Sequence, residues 1–313
     1  MQTIPDRLKG ISLGAAVGDA LGMPLEFHPA RSLHDLETEM VDGPLPAGTF
    51  TDDTEMALAL AESLLAHSPL DGADLSQRFV DWYRANPPDI GIHTSAVLGR
   101  IAADTSWQQA ADLEQQLRPD SASNGSLMRC WPVSVAYWKN PGVLLSASRL
   151  QSTVTHPHPD CVNACLFFNS LLQLLANRSE DQSSDAALRE AVTRAADIVG
   201  LDGEMRLLVE LASVRTREAL PNTGWVRHTL ESALWAVLTT RSFEEALVQA
   251  VNLGSDADTT GSVAGALAGA LYGVNAIPQR WVEKLRGEYP IGSGRVWNAL
   301  SVLELAERLS KFA

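Results

Sequence analysis

The sequence predicts an all-α fold in a single domain spanning residues 1–313. Three observations carry that expectation. Apolar side chains recur at helical spacing in most segments, alternating strand patterns are nearly absent, and Ala- and Leu-rich stretches are separated by clusters of Gly, Pro, Asn and Asp. A chain of 313 residues, 45% hydrophobic and 20% charged, can bury a substantial core without splitting into domains.

The elements follow in order. Leu8, Ile11 and Ala15 place one stripe on a first helix, whose small-residue end runs into the Gly22-Met23-Pro24 turn and then presents Glu26 between Leu25 and Phe27. Such a carboxylate either points to solvent or sits in a pocket with a raised pKa and handles protons. Thr51-Asp52-Asp53-Thr54-Glu55 precedes a helix starting near Glu55 or Met56, with Met56, Ala59, Leu60 and Leu64 as its stripe. Asp89 to Ser95, after Pro87 and Pro88, reads as a loop-to-helix transition, with plain capping as the simpler role. Ser123-Asn124-Gly125-Ser126-Leu127-Met128-Arg129 has the look of a phosphate-cradling turn, and equally of an ordinary Asn-Gly turn.

Thr155-His156-Pro157-His158-Pro159-Asp160 suits a rigid start to a helix and has no conventional zinc spacing, so His156 is expected to touch substrate. Helical segments are expected around 161–176, 186–200, 205–220 and 229–239, with a surface loop from Asn177 to Asp185. The run Gly254-Ser255-Asp256-Ala257-Asp258-Thr259-Thr260-Gly261 repeats the acid-before-helix pattern. Beyond it, Val263 to Val274 is apolar but shorter than the about 20 residues of a membrane span, and reads as a buried helix. Gly261, Gly265, Gly269 and Gly273 fall every four residues. Each costs about 1 kcal/mol of helix propensity against Ala, so close packing behind a site is expected.

Composition narrows the function classes. With 24 basic and 38 acidic residues the formal charge is −14, and no window is rich in Lys and Arg, which argues against a broad nucleic-acid footprint. Cys130, Cys161 and Cys165 form no paired modules, so buried free thiols are expected rather than disulfides or zinc. The first residues show no export signal, which makes the cytoplasm the expected compartment, and no membrane association is expected. A Ser nucleophile elbow, a Walker loop and a dinucleotide fingerprint are all missing.

The two acidic runs are the sharpest signal. Capping explains one or two acids at a helix start but explains five consecutive oxygen-bearing residues poorly. Hard cations such as Mg²⁺ and Mn²⁺ take oxygen ligands, and two such turns can build a binuclear site. If Asp52, Asp53, Asp256 and Asp258 converge, each pair about 4 Å apart repels by about 4 kcal/mol at an effective dielectric of 20, so the cluster needs cations. The pattern does not fit a calcium-binding EF-hand loop.

On residues 14–27, 48–55, 89–95, 123–129, 155–156 and 254–273, in that order, the chain resembles the ADP-ribosylglycohydrolase family. The resemblance implies a compact orthogonal multi-helix bundle with a binuclear metal site in a cleft. It implies that Thr51, Asp52, Asp53, Asp256, Asp258 and Thr259 hold two Mg²⁺ or Mn²⁺ ions. It further implies that Glu26 or a metal-held carboxylate such as Asp258 manages the proton. Asn124, Gly125 and Ser126 would line the pyrophosphate, Ser123 would bind substrate beside them, His156 would contact the nucleotide or its ribose, and Asp89 would approach the acceptor.

The implied reaction is metal-dependent hydrolysis of the glycosidic bond at the ribose anomeric carbon. It would act on an ADP-ribosylated protein or a small ADP-ribosyl compound, with arginine favoured as acceptor and nucleic acid entering only as a modified acceptor. Two rival readings stand beside it: another two-metal hydrolase, cutting phosphoesters, and a non-catalytic ADP-ribose-binding relative.

Overall fold

The architecture is set by two glycine-bearing helices that run antiparallel through the centre. A computed structural model describes residues 2–179 and 182–312. Helix α1 (Ile4–Gly22) starts at a Thr3/Asp6 capping box. The chain continues through α2 (Asp52–Ala66), α3 (Gly72–Arg84), α4 (Ile92–Ala102), α5 (Trp107–Leu117), α6 (Trp131–Ala136), α7 (Pro141–Thr153) and α8 (Pro159–Ala176). It then forms α9 (Ser184–Val199), α10 (Gly203–Leu211), α11 (Val226–Leu238), α12 (Phe243–Val251), α13 (Ala257–Tyr272), α14 (Gln279–Lys284) and α15 (Ala299–Leu309). The predicted all-α class is thus observed. The only strands among the described residues are β1 (Arg286–Glu288) and β2 (Val296–Asn298), an antiparallel pair with Gly287 opposite Trp297.

The seam between α1 and α13 is made of facing glycines. Gly10, Gly14 and Gly18 oppose Gly269, Gly265 and Gly261, and Gly22 opposes Ala257. A Cβ on Gly18 would lie 1.9 Å from the Gly261 carbonyl oxygen, so no other residue fits there without separating the helices. The antiparallel direction matters: it brings the end of α1, with Asp19 and the turn to Glu26, against the start of α13, with Asp256 and Asp258. Gly273 does not continue the series. It caps α13 with φ +76, and the nearest atoms to a Cβ there belong to the Gln2 side chain.

Around this seam one contiguous apolar core extends from Leu8 to Leu309 and includes Phe50, Phe79, Trp131, Phe167, Phe168 and Trp281. The three cysteines are free and buried, as expected. The helix expected over 205–220 is interrupted. It ends at Leu211, and single 3-10 turns follow at Ala212–Val214 and Arg217–Ala219. Between them Arg215 is extended, because its Nε donates to Glu231 at 2.6 Å and its carbonyl accepts from Trp235 Nε1 at 3.1 Å. Contacts to α11 override the local helical pattern there. The loop expected from Asn177 to Asp185 contains Glu180 and Asp181, which lie outside the described residues, and α9 already begins at Ser184. Among the described residues no helix is long and apolar enough to cross a membrane.

Candidate active site

Three chain segments converge where α1 ends and α2 and α13 begin. After Gly22, Pro24 and a single 3-10 turn stop α1, and Glu26 leaves in an extended conformation. Helix α2 starts three residues earlier than its apolar stripe suggests, so Asp52, Asp53 and Glu55 all lie in its first turn. Its N-cap, Thr51, makes no capping bond of its own. Asp19, reaching across from α1, does that work. It accepts from the Thr51 and Thr54 amides at 3.0 and 3.1 Å and from their hydroxyls at 2.9 and 2.5 Å.

The first turns of α2 and α13 then meet. Thr259 Oγ1 donates to Asp53 Oδ2 at 3.2 Å and the Thr259 amide to Asp258 Oδ1 at 2.8 Å, while Thr51 Oγ1 lies 3.5 Å from Asp258 Oδ2. Asn124 Nδ2 holds Asp256 Oδ2 at 2.6 Å and also donates to Thr229 Oγ1 at 2.7 Å. Asn222 braces the loop before α13, donating to the Gly254 carbonyl at 2.6 Å and accepting from Thr260 Oγ1 at 2.6 Å. Glu55 accepts from Trp82 Nε1 at 2.7 Å.

The loop that carries Glu26 is pinned to this turn by backbone. Phe27 donates to the Ser255 carbonyl at 2.6 Å, and Ser255 donates to the His28 carbonyl at 2.7 Å. Both Phe27 and Ser255 are left-handed, with φ +61 and +54. Neither is glycine, and such strain persists only where the surroundings enforce it. Here it holds Glu26 beside Asp256 and leaves the Phe27 ring 82% exposed at the rim.

The result is a cleft of about 560 Å³ with an acidic floor of Glu26, Asp52, Asp89, Asp256 and Asp258. One carboxylate oxygen each from Glu26, Asp89 and Asp258 lie within 4.8 Å of one another. Among the described residues none of these acids, nor Asp19, Asp53 or Glu55, has a Lys or Arg ion-pair partner. Burial, reinforced by mutual repulsion, pushes their carboxyl pKa values up. Glu26 rises to about 8 and Glu55 to about 7, while Asp52, Asp53 and Asp258 rise well above the usual range. Burial likewise lifts Asp19 to about 6, against its four hydrogen bonds. Asp53 Oδ1 is buried with no hydrogen-bond partner. An all-oxygen donor set, an orphaned carboxylate oxygen and uncompensated negative charge fit hard divalent cations.

A family model described as ADP-ribosylglycohydrolase matches residues 1–312. The chain belongs to this family. The glycohydrolase is 35% identical over 291 residues to an ADP-ribosylarginine hydrolase Tri1 of Pseudomonas putida, covering 90% of its own chain and 74% of that one. It is 32% identical over 290 residues to the ADP-ribosyl-[dinitrogen reductase] glycohydrolase of Rhodospirillum rubrum, covering 90% and 91%. A solved structure described as an ADP-ribosylglycohydrolase-related protein complex superposes with a TM-score of 0.81 at 35% identity, covering 99% and 98% of the two chains. The protein is accordingly a hydrolase that removes ADP-ribose from a modified acceptor.

In this glycohydrolase most residues singled out from sequence come together, though not all reach the cleft. Ser123, Asn124 and Gly125 form one wall and Asp89 lies at another, just before α4. Thr51 and Asp53 sit beneath the floor, 3% and 1% exposed. Ser126 faces inward, accepting from Ser152 Oγ at 2.9 Å, and His156 lies behind Ser123 and Gly125. Neither side chain lines the cleft, where both were expected to touch substrate. His93, Thr94, Arg118, Ser121 and Gly224 line the cleft without having been singled out, and Asp19 organises it from within α1. His93 and Thr94 lie inside the 89–95 motif. Arg118, Ser121 and Gly224 sit in loops that carry no local signal.

Proposed function

We propose that the enzyme hydrolyses the N-glycosidic bond between ADP-ribose and an arginine side chain of a protein. The observation that carries this reading is the grouping of Glu26, Asp89 and Asp258 in one cleft, none of them ion-paired to a Lys or Arg among the described residues. Arginine is the acceptor named for the Tri1 relative, and an acidic cleft gives its guanidinium counter-charge.

Thr51, Asp52, Asp53, Asp256, Asp258 and Thr259 would hold two Mg²⁺ or Mn²⁺ ions. When bound, these supply Lewis acidity and charge compensation at the ribose. The remaining work falls to the chain. Ser123, Asn124 and Gly125 offer hydroxyl, amide and backbone donors to the diphosphate, as suits a wall with little positive charge. Asn124 keeps Asp256 in place while doing so.

Glu26, half-buried and poised to hold a proton near neutral pH, faces the reacting carbon with Asp258 as the second carboxylate in reach. Water adds to the anomeric carbon as the carbon–nitrogen bond breaks. The proton held by Glu26 passes to the departing guanidine nitrogen, and the proton lost by the water returns to the Glu26 carboxylate. Asp89, at the acceptor side, holds the guanidinium before and after cleavage.

The test is release of free ADP-ribose from arginine-linked and serine-linked substrates, each with Mg²⁺, with Mn²⁺ and with EDTA. Metal-dependent release from the arginine-linked substrate is expected. Release from the serine-linked substrate alone would reassign the acceptor, and release that survives EDTA would remove the metal assignment.

A further inference from the structure

Behind the Ser123 wall lies a buried polar chain that the reaction does not use directly. Arg129 is fully buried, with Phe79 against its guanidinium and no carboxylate partner among the described residues. Its Nη2 donates to Thr155 Oγ1 at 2.7 Å. Thr155 Oγ1 lies 2.7 Å from His156 Nδ1, and His156 Nε2 lies 3.0 Å from Ser123 Oγ. A second histidine stands alongside, its ring 4.6 Å from that of His156. His93 Nε2 lies 2.9 Å from the Thr155 carbonyl, and His93 Nδ1 lies 3.2 Å from Ser121 Oγ.

The direction of every bond in this chain follows from its ends. A guanidinium only donates and a carbonyl only accepts. Thr155 Oγ1 therefore accepts from Arg129 and has one hydrogen of its own to place; it is fully buried, and His156 Nδ1 is the acceptor within reach. Nδ1 of His156 is then unprotonated, Nε2 carries the hydrogen, and that hydrogen points at Ser123 Oγ. The Ser123 hydroxyl, already accepting from behind, has its own hydrogen free for the cleft. His93 runs the opposite way. Its Nε2 hydrogen goes to the Thr155 carbonyl, so Nδ1 must accept, and Ser121 turns its hydrogen inward. Burial pushes both imidazole pKa values down, His156 well down, which keeps both rings neutral.

We infer that Arg129, Thr155, His156 and His93 are positioning residues that fix two cleft hydroxyls in opposite senses, Ser123 as a hydrogen-bond donor and Ser121 as an acceptor. The donor suits an anionic oxygen of the substrate diphosphate, and the acceptor suits a hydroxyl or amino group of the nucleoside. The inference rests on the proposed contact between Ser123 and ADP-ribose. It adds that the contact works only because a buried arginine sets its polarity.

Two measurements on the metal-loaded enzyme test this. Imidazole ¹⁵N–¹H spectra should show His93 and His156 both protonated on Nε2 alone. In ADP-ribose binding, Ser123→Ala should weaken affinity about tenfold, as expected for a lost hydrogen bond to a charged group. Thr155→Val should weaken it similarly while letting His156 populate both tautomers. Thr155→Ser, which keeps the hydroxyl, should restore both the affinity and the single tautomer, and Thr155→Val should add nothing in the Ser123→Ala background. Protonation of either wild-type ring on Nδ1 would overturn the inference, as would a Thr155→Ser protein as impaired as Thr155→Val. Correct tautomers with undiminished affinity in Ser123→Ala would instead remove the substrate contact on which the inference rests.

Discussion

The floor and the side wall of the cleft are built on opposite principles. The floor gathers carboxylates at the first turns of α2 and α13, and leaves one buried oxygen of Asp53 without a partner. The wall from Ser121 to Gly125 rests on a network in which Arg129, Thr155, His156 and His93 are joined by hydrogen bonds. One region is defined by what it lacks and the other by what it has satisfied. A binding floor that awaits charge can exchange it, whereas a satisfied wall holds its shape through the reaction.

The contrast predicts different responses to substitution. The largest effect is expected on the floor: Asp258→Asn should lower activity by about a thousandfold. It should also weaken Mg²⁺ binding yet raise the melting temperature of the metal-free protein, because a buried repulsion is relieved. Calorimetry with and without Mg²⁺ checks both halves, and full activity would remove Asp258 from the site. Glu26→Gln comes next, with turnover down about a hundredfold and metal affinity retained, read by single-turnover kinetics. An unchanged rate would make Glu26 a structural carboxylate.

Smaller still is the effect of pH on stability. The carboxyls in and beneath the floor titrate higher in the folded protein than in the unfolded chain, with Asp19 near 6, Glu55 near 7 and Glu26 near 8. Between about pH 4 and pH 8 the metal-free fold therefore binds more protons than the unfolded chain and loses stability as pH rises. Melting temperature in EDTA should fall from pH 5 to pH 8, and the increment given by Mg²⁺ should grow over the same range. A rise in EDTA would contradict the burial of uncompensated acids. The smallest change is expected at the rim, where Arg118 is half exposed and already paired with Glu114. Arg118→Ala should raise KM a few-fold at constant kcat.

The same contrast explains what the sequence disclosed. The floor's Asp52, Asp256 and Asp258 were legible because they come in two short local runs, each at the start of a helix, and such spacing survives without knowledge of the fold. Helix α13 was legible as a buried helix from its short apolar run, and its close packing from glycines at every fourth position, which call for a partner backbone. Asp19 escaped because an acid inside a small-residue helix gives no sign of the threonines it will cap thirty-odd positions away. The wall's turn at Ser123 to Gly125 was legible too, but its polarity escaped for the converse reason: it depends on contacts between residues 93, 121, 129 and 155, which only tertiary structure creates. Ser126 stood out in a glycine turn and His156 in a proline-flanked helix entry, but which side of the cleft wall they occupy is decided by the packing of α7 and α8 behind it.

The glycine seam has a practical consequence for anyone wishing to make this enzyme more heat-resistant. Replacing helical glycines by alanine is a standard first step, since it restricts the unfolded chain and improves helix propensity by about 1 kcal/mol. In α1 and α13 that step would wedge the two helices apart and widen the spacing between Glu26 and Asp258. Gly142, exposed in the first turn of α7, offers the same benefit at no such risk, because a methyl group there would meet only the Asn140 side chain at 3.9 Å. Backbone-to-backbone contact makes the centre of this protein its measuring gauge, and the periphery the place to engineer.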